Sequence, residues 1–276
     1  METLVSTEWL AGHLADPDLV IADASYHLTP RDAAAEFAAA HIPGAVFLNL
    51  KALADPDHPA PMMLPRPDAF AAAMGALGIG EGRRVVLYDD SDIRTAARAW
   101  WMLRTMGFAD VAILDGGLAK WRAEARPTEA GDHRPCPATF TPRPAIDAVR
   151  DKAAMLANVT SGAEQVVDAR GAPRFSGAEA DPRPGVAAGH IPGALNLPYG
   201  RMFQADGTWK SPDAIRAEFD AAGIDLDRPI VASCGSGITA SVLLFGLDRI
   251  GQGGALYDGS WSEWGIDPET PKEVTA

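Results

Sequence analysis

With 276 residues, 47% hydrophobic and 22% charged, the chain is long enough for two globular cores. A formal net charge of −13 argues against nucleic acid or an anionic membrane as partner, and no apolar run is long enough to span a bilayer. Two cysteines, Cys136 and Cys234, are too few for a disulfide framework.

The opening "METLVSTEWLAGHLADPDLV" has no basic n-region and no unbroken apolar h-region, so a cytoplasmic setting is expected. "LVIADAS" (19–25) then reads as a buried strand ending in an acid. The turn "HIPGA" at His41 and a short strand "VFLNL" follow. A helix is predicted over 67–77, opened by Pro67 and closed by Gly78. "RVVLYD" predicts a strand, 96–106 a long helix, and "VAILDGG" a further strand.

The stretch 124–146 is rich in proline and polar residues without apolar period, and reads as a linker along the surface. Cys136 lies in it, between Pro135 and Pro137. The pattern then repeats: "QVVDAR" (165–170), "HIPGA" at His190, "LNLP", a helix over 212–222 closed by Gly223, "PIVASC", a helix over 239–250, and "GALYDGS". Buried Val, Ile and Leu runs alternating with helices predict an α/β fold, twice: two tandem domains, each a parallel sheet covered by helices on both faces. The domains are expected at 1–123 and 149–276, with 124–148 as linker.

The chemistry concentrates in "IVASCGSGIT" (230–239). Ligands bind beyond the carboxyl ends of parallel strands, and Cys234 sits at such an end. A helix starts just behind it, and Gly235 and Gly237 let the backbone turn its amides inward. Such a nest favours an anion at its centre, hence a reactive thiolate, with Ser236 and Thr239 as hydroxyl donors. Gly235-Ser236-Gly237 lacks the third glycine of a dinucleotide fingerprint, and Ala240 stands where a cysteine phosphatase carries its phosphate-binding arginine. No Cys/His spacing suggests a metal, so neither metal nor cofactor is expected. A match without gaps puts Asp89 opposite Cys234, which predicts a silent first half. His41 and His190 recur in both halves, which points to a structural role.

Two tandem domains, "HIPGA" in each, "CGSGITA" in the second and "YDGSWSEW" near the end resemble the two-domain rhodanese-type sulfurtransferases. The "CGSGITA" form resembles the 3-mercaptopyruvate branch, whereas thiosulfate-preferring relatives carry basic side chains after the cysteine. The resemblance implies that Cys234 becomes a persulfide and that the amides of residues 235–239, including those of Gly237 and Ile238, cradle its outer sulfur. It also implies that Arg174 and Arg183, in "RFSGAEADPR", grip the carboxylate and keto group of 3-mercaptopyruvate. The implied acceptor is cyanide, a thiol or a thioredoxin-like dithiol. Thiosulfate sulfurtransfer, or persulfide carriage without turnover of a small donor, are the alternatives. One departure concerns a histidine expected just before "MLP" and an acid soon after the first "HIPGA": Met62 and Lys51 stand there, with His58 four residues upstream of Met62.

Overall fold

A computed structural model describes residues 1–133 and 135–275; Arg134 of the expected linker and Ala276 of the expected second domain lie outside the described residues. The chain divides into two units. Unit 1 comprises Met1–Ala54, Leu64–Ala145 and Ala205–Trp209, and unit 2 comprises Asp55–Met63, Ile146–Gln204 and Lys210–Ala276. Each half therefore lends a short segment to the other unit.

Unit 1 holds a five-stranded sheet, β1 (Leu4–Val5), β2 (Leu19–Asp23), β3 (Val46–Phe47), β4 (Arg84–Tyr88) and β5 (Val111–Leu114), in the order β1-β5-β4-β2-β3. Unit 2 repeats it with β6 (Val149–Arg150), β7 (Gln165–Asp168), β8 (Leu195–Asn196), β9 (Ile230–Ser233) and β10 (Ala255–Tyr257), in the order β6-β10-β9-β7-β8. Every pairing is parallel, and residues 85–88 of β4 and 230–233 of β9 are fully buried. Central strands buried on both faces are what continuous Val/Ile/Leu runs dictate.

In unit 1 the connections are helices α1 (Thr7–His13), α2 (Ala33–Ala39), α3 (Leu50–Leu53), α4 (Pro67–Ala76), α5 (Ala96–Thr105) and α6 (Gly117–Ala123). Unit 2 has α7 (Lys152–Ser161), α8 (Ala172–Ser176), α9 (Pro212–Ala221), α10 (Ala240–Arg249) and α11 (Ser260–Trp264). None of the described helices is long and apolar enough to cross a membrane.

His41 and His190 do the same work in their two units. Each imidazole Nδ1 lies 2.8 Å from the carbonyl oxygen of a phenylalanine, Phe37 or Phe175, on whose ring it also stacks. The backbone of each exchanges a pair of hydrogen bonds with a glutamate from a later segment of its unit, Glu129 or Glu273. A packing role shared by both halves is thus what the structure gives these residues. The proline-rich stretch after α6 is less of a free surface strap than its composition suggests. Glu81 and Ala138 tie it to the end of α4, Arg143 and Ala145 donate to the carbonyls of Met106 and Thr105, and Phe140 packs against Phe70 and Phe108. The aromatic adds a large buried apolar area to these backbone hydrogen bonds.

The units differ at the end of the second strand. Asp168 of unit 2 is buried but pairs with Arg170, whose Nη2 lies 2.6 Å from its Oδ2. Asp23 of unit 1 has Ser25 in the corresponding place and receives only neutral hydrogen bonds. Burial therefore pushes Asp23 up to about 6, with the nearby Asp89 adding to it and the Ser25 bonds opposing it. A raised folded-state value means that its stabilising contribution is complete below the ordinary carboxylate value and is lost as pH rises through about 6. Asp23→Asn should therefore stabilise the protein at pH 8, by on the order of 1–3 kcal/mol, and by only about a third as much at pH 4.5. Denaturant melts at the two pH values check this; equal effects at both would contradict it.

Candidate active site

Cys234 follows β9 directly and is 1% exposed. Its loop ends at Thr239, the N-cap of the ten-residue α10, so the positive end of that helix faces the loop. The chain returns through "YDGSW", and the first amides of α11 lock the loop from the far side. Trp261 N donates to the Cys234 carbonyl at 3.0 Å, and Ser262 N to that of Gly235 at 2.9 Å.

Ser260 is the residue that sequence reasoning passed over. Its hydroxyl accepts from the amides of Cys234 (3.2 Å) and Gly237 (3.1 Å) and donates to the Tyr257 carbonyl (2.8 Å). It is wholly buried and has φ +49°, a left-handed conformation that costs a non-glycine residue on the order of 1 kcal/mol. The equivalent residue of unit 1 is Gly117, with φ +58°. That glycine follows from packing, since a Cβ there would lie 2.4 Å from the Asp89 carbonyl oxygen. A serine where the duplicate copy needs glycine was the signal available in the sequence.

Ser260 also corrects one expectation. The Gly237 amide does not face the loop centre unengaged; it is bound to Ser260. The amides of Gly235, Ser236, Ile238 and Thr239 find no acceptor among the described residues, nor do the hydroxyls of Ser236 and Thr239 take a hydrogen bond there. The Ile238 side chain is buried, 2% exposed, so the loop can offer only its backbone. Gly237 has φ +76° and needs to be glycine, whereas Gly235 lies outside the left-handed region. Gly235 matters for room: a Cβ on it would stand 3.5 and 3.7 Å from the Nη2 atoms of Arg183 and Arg174.

The two arginines thus meet over the loop. Arg183 Nη1 donates to the Gly235 carbonyl at 2.7 Å, and both guanidinium groups bind Asp181. Arg174 Nε is buried without a partner. An orphaned charged donor beside unengaged amides and hydroxyls makes this a place for an anion. His58, from the segment that unit 1's half lends to unit 2, has its Nε2 3.7 Å from Glu263 Oε1, while its Nδ1 accepts from Ala60 N at 3.1 Å. Lys51 is exposed on α3 of unit 1, and Met62 is buried with φ +62°. Cys136 is exposed and free. Among the described residues, no cluster of His, Cys, Asp or Glu could hold a metal.

Unit 1 fills the same place from within. Asp89 stands where β4 ends, and its carboxylate accepts from the amides of Ser91 (3.1 Å) and Ala96 (2.7 Å). Burial raises its proton affinity, and those two amides oppose the rise. The match without gaps fails across this loop. Asp89 and Cys234 are 145 residues apart, but the helix caps Thr95 and Thr239 are 144 apart, so the unit 1 loop is one residue longer. Asp90, the next residue of the loop, is paired with Arg31 and Arg122 at 3.3 and 3.2 Å, which offsets the repulsion its charge would exert on an anion. The loop is occupied by its own carboxylate rather than guarded by repulsion.

Comparison with known proteins fits this geometry. The rhodanese-like domain family matches residues 6–124 and 151–267. The chain is 43% identical over 277 residues to the 3-mercaptopyruvate sulfurtransferase of Escherichia coli (strain K12), covering 98% of this chain and 97% of the relative. It is 38% identical over 296 residues to the mitochondrial thiosulfate/3-mercaptopyruvate sulfurtransferase 1 of Arabidopsis thaliana, covering 99% and 78%. The crystal structure of SseA from Escherichia coli, described as having the rhodanese fold of 3-mercaptopyruvate sulfotransferases, matches with TM-score 0.86 and 40% identity, covering 95% of this chain and 100% of that one.

Ser260→Ala should cost on the order of 2–3 kcal/mol, because it leaves two buried amides unpaired and keeps a Cβ in left-handed backbone. Ser260→Gly loses the same hydrogen bonds but relieves the backbone, and should be less destabilising by about 1 kcal/mol. Urea unfolding of the two variants checks the order; an alanine variant as stable as the glycine one would contradict it.

Proposed function

The chain belongs to the rhodanese-like family, and from that premise we propose that it transfers sulfur from 3-mercaptopyruvate to a thiol acceptor, with Cys234 as the covalent carrier. The observation that carries this reading is the set of unengaged amides and hydroxyls around Cys234, overhung by Arg174 and Arg183.

In the first half-reaction the Cys234 thiolate attacks the donor's sulfur. An S–S bond forms and the C–S bond breaks. Its electron pair goes to the carbon as the enolate of pyruvate, which takes up a proton to give pyruvate. Arg174 and Arg183 hold the donor's carboxylate and keto oxygen, since a planar guanidinium matches a carboxylate with two parallel hydrogen bonds. Ser236 and Thr239 lie within the loop to hydrogen-bond the donor's polar groups. In the second half-reaction a thiolate, or cyanide in an assay, attacks the outer sulfur and the Cys234 thiolate departs. The amides of Gly235, Ser236, Ile238 and Thr239 stabilise the anionic outer sulfur as an oxyanion hole stabilises oxygen. Division of one transfer into two displacements predicts ping-pong kinetics.

The catalytic unit in this reading is that of residues 149–276, with unit 1 silent because Asp89 cannot form a persulfide. A thioredoxin-like dithiol is the acceptor proposed in the cell. The free state of Cys136 and Cys234 is consistent with a reducing compartment, and we place the protein in the cytoplasm. Thiosulfate as donor is the second reading, favoured by the compound name of the Arabidopsis relative. Against it, Gly235 and Ser236 supply no cationic side chain at the loop for a compact dianion.

Donor alone should add the mass of one sulfur to Cys234 and release one pyruvate per chain, and Cys234→Ser should abolish both while leaving the melting curve close to wild type. Sulfur found on Cys136 instead would overturn the assignment. The kcat/KM for 3-mercaptopyruvate should exceed that for thiosulfate about tenfold or more, equivalent to about 1.4 kcal/mol of differential transition-state binding; parity would put thiosulfate in its place. Arg174→Ala and Arg183→Ala should each weaken donor use by roughly 1.5–3 kcal/mol, the scale of a charge-assisted hydrogen bond. Discharge of preloaded persulfide to a neutral thiol should change far less, as stopped-flow measurement of the two half-reactions would reveal.

A further inference from the structure

Asp181 is the most heavily bonded carboxylate of the site. Its side chain is 1% exposed, while those of Arg174 and Arg183 are 25% and 30% exposed. Oδ2 accepts from Arg174 Nη2 at 2.5 Å and from Arg183 Nη2 at 2.9 Å. Oδ1 accepts from Arg183 Nε at 2.8 Å and from the Arg183 amide at 3.0 Å. Burial alone would raise this carboxyl, but the bonds from Arg183 and Arg174 outweigh it and hold the group below the usual carboxylate range.

Three consequences follow from the geometry. One carboxylate ties two long, flexible side chains together, which removes much of the entropy that each would lose on gripping a ligand. The direction of the tie is fixed as well. Arg183 bonds Asp181 through Nε and Nη2 and the Gly235 carbonyl through Nη1, so the guanidinium lies against the loop. Finally, two guanidinium groups against one carboxylate leave a single net positive charge above Gly235. A monoanion neutralises that charge, whereas a dianion leaves an excess negative charge in a partly desolvated site, within a chain of net charge −13.

We infer that Asp181 is a positioning and specificity-determining residue, which holds Arg174 and Arg183 as one singly charged clamp over the Cys234 loop and thereby selects monoanionic, carboxylate-bearing donors against dianionic ones. This rests on the sulfur-transfer reading above and adds to it the charge rule by which the site chooses its donor.

The test uses the full-length protein and two probes that transfer no sulfur, pyruvate and inorganic sulfate, as competitors against 3-mercaptopyruvate at matched ionic strength. In the wild type, pyruvate should inhibit at least tenfold more strongly than sulfate. Asp181→Asn removes the charge with little change of shape. It should raise KM for 3-mercaptopyruvate more than it lowers kcat, shift the pyruvate-to-sulfate ratio at least tenfold toward sulfate, and raise relative use of thiosulfate. Asp181→Glu restores the charge and should recover most of the ratio. A residue that only supports the fold would lower activity toward all donors alike and leave these ratios unmoved. Unchanged ratios in Asp181→Asn would overturn the inference. Sulfate competing as well as pyruvate in the wild type would also overturn it, and that measurement stands even if the asparagine variant does not fold. Failure of the wild type to form any Cys234 persulfide from 3-mercaptopyruvate would instead overturn the function on which the inference rests.

Discussion

Backbone amides at the carboxyl end of a parallel strand call for acceptors, and among the described residues those of Gly235, Ser236, Ile238 and Thr239 have none. That deficit governs the rest of the site. A loop of unengaged N–H groups at the head of a ten-residue helix is positive without carrying a cation, and it persists because Ser260 and the first turn of α11 hold the backbone in that shape. Strain at Ser260 is the cost of the arrangement, and the surrounding sheet and helices supply the stability to bear it.

The two units of the chain are two answers to this one constraint. In unit 1 the acceptor is part of the chain itself: the carboxyl oxygens of Asp89 accept from the amides of Ser91 and Ala96, and Arg31 and Arg122 neutralise Asp90 beside it. In unit 2 the loop is one residue shorter, the carboxylate is replaced by a thiol, and two of the amides pass to a serine hydroxyl from another element. Duplication preserved the strand order and the histidine-anchored turn, while the loop after the fourth strand of each unit changed its residues and its length.

Electrostatics then determine what can enter. A chain this acidic repels anions at long range, so attraction has to be local and shielded from solvent. In the proposed reaction Arg174 and Arg183 provide it, and the Asp181 carboxylate that both bind offsets one of their two charges. On the function proposed above, donor recognition and sulfur stabilisation sit on different elements. The loop supplies dipoles for sulfur, and the segment after β7 supplies charge for the donor's far end.

The doubling, the parallel sheets, the strand and helix positions and the loop around Cys234 were legible in the sequence, because buried Val/Ile/Leu runs, proline and glycine punctuation and a repeated turn report on contacts local in the chain. What lay beyond it depended on contacts across long separations. Ser260 is 26 residues from the amide it binds, and the strained φ that makes its reach possible is invisible in a one-letter code. Arg183 meets the Gly235 carbonyl across 52 residues, and the burial of Asp181 between two arginines depends on the sheet that brings both segments to one edge. The extra residue in the unit 1 loop was hidden because a match without gaps is correct at Asp89 and wrong six residues later, where only the helix cap defines the register. Sequence by itself determined which elements form and where a nucleophile could stand; the tertiary structure decided which amides remain unengaged and what net charge faces them, since both are sums over neighbours that only folding brings together.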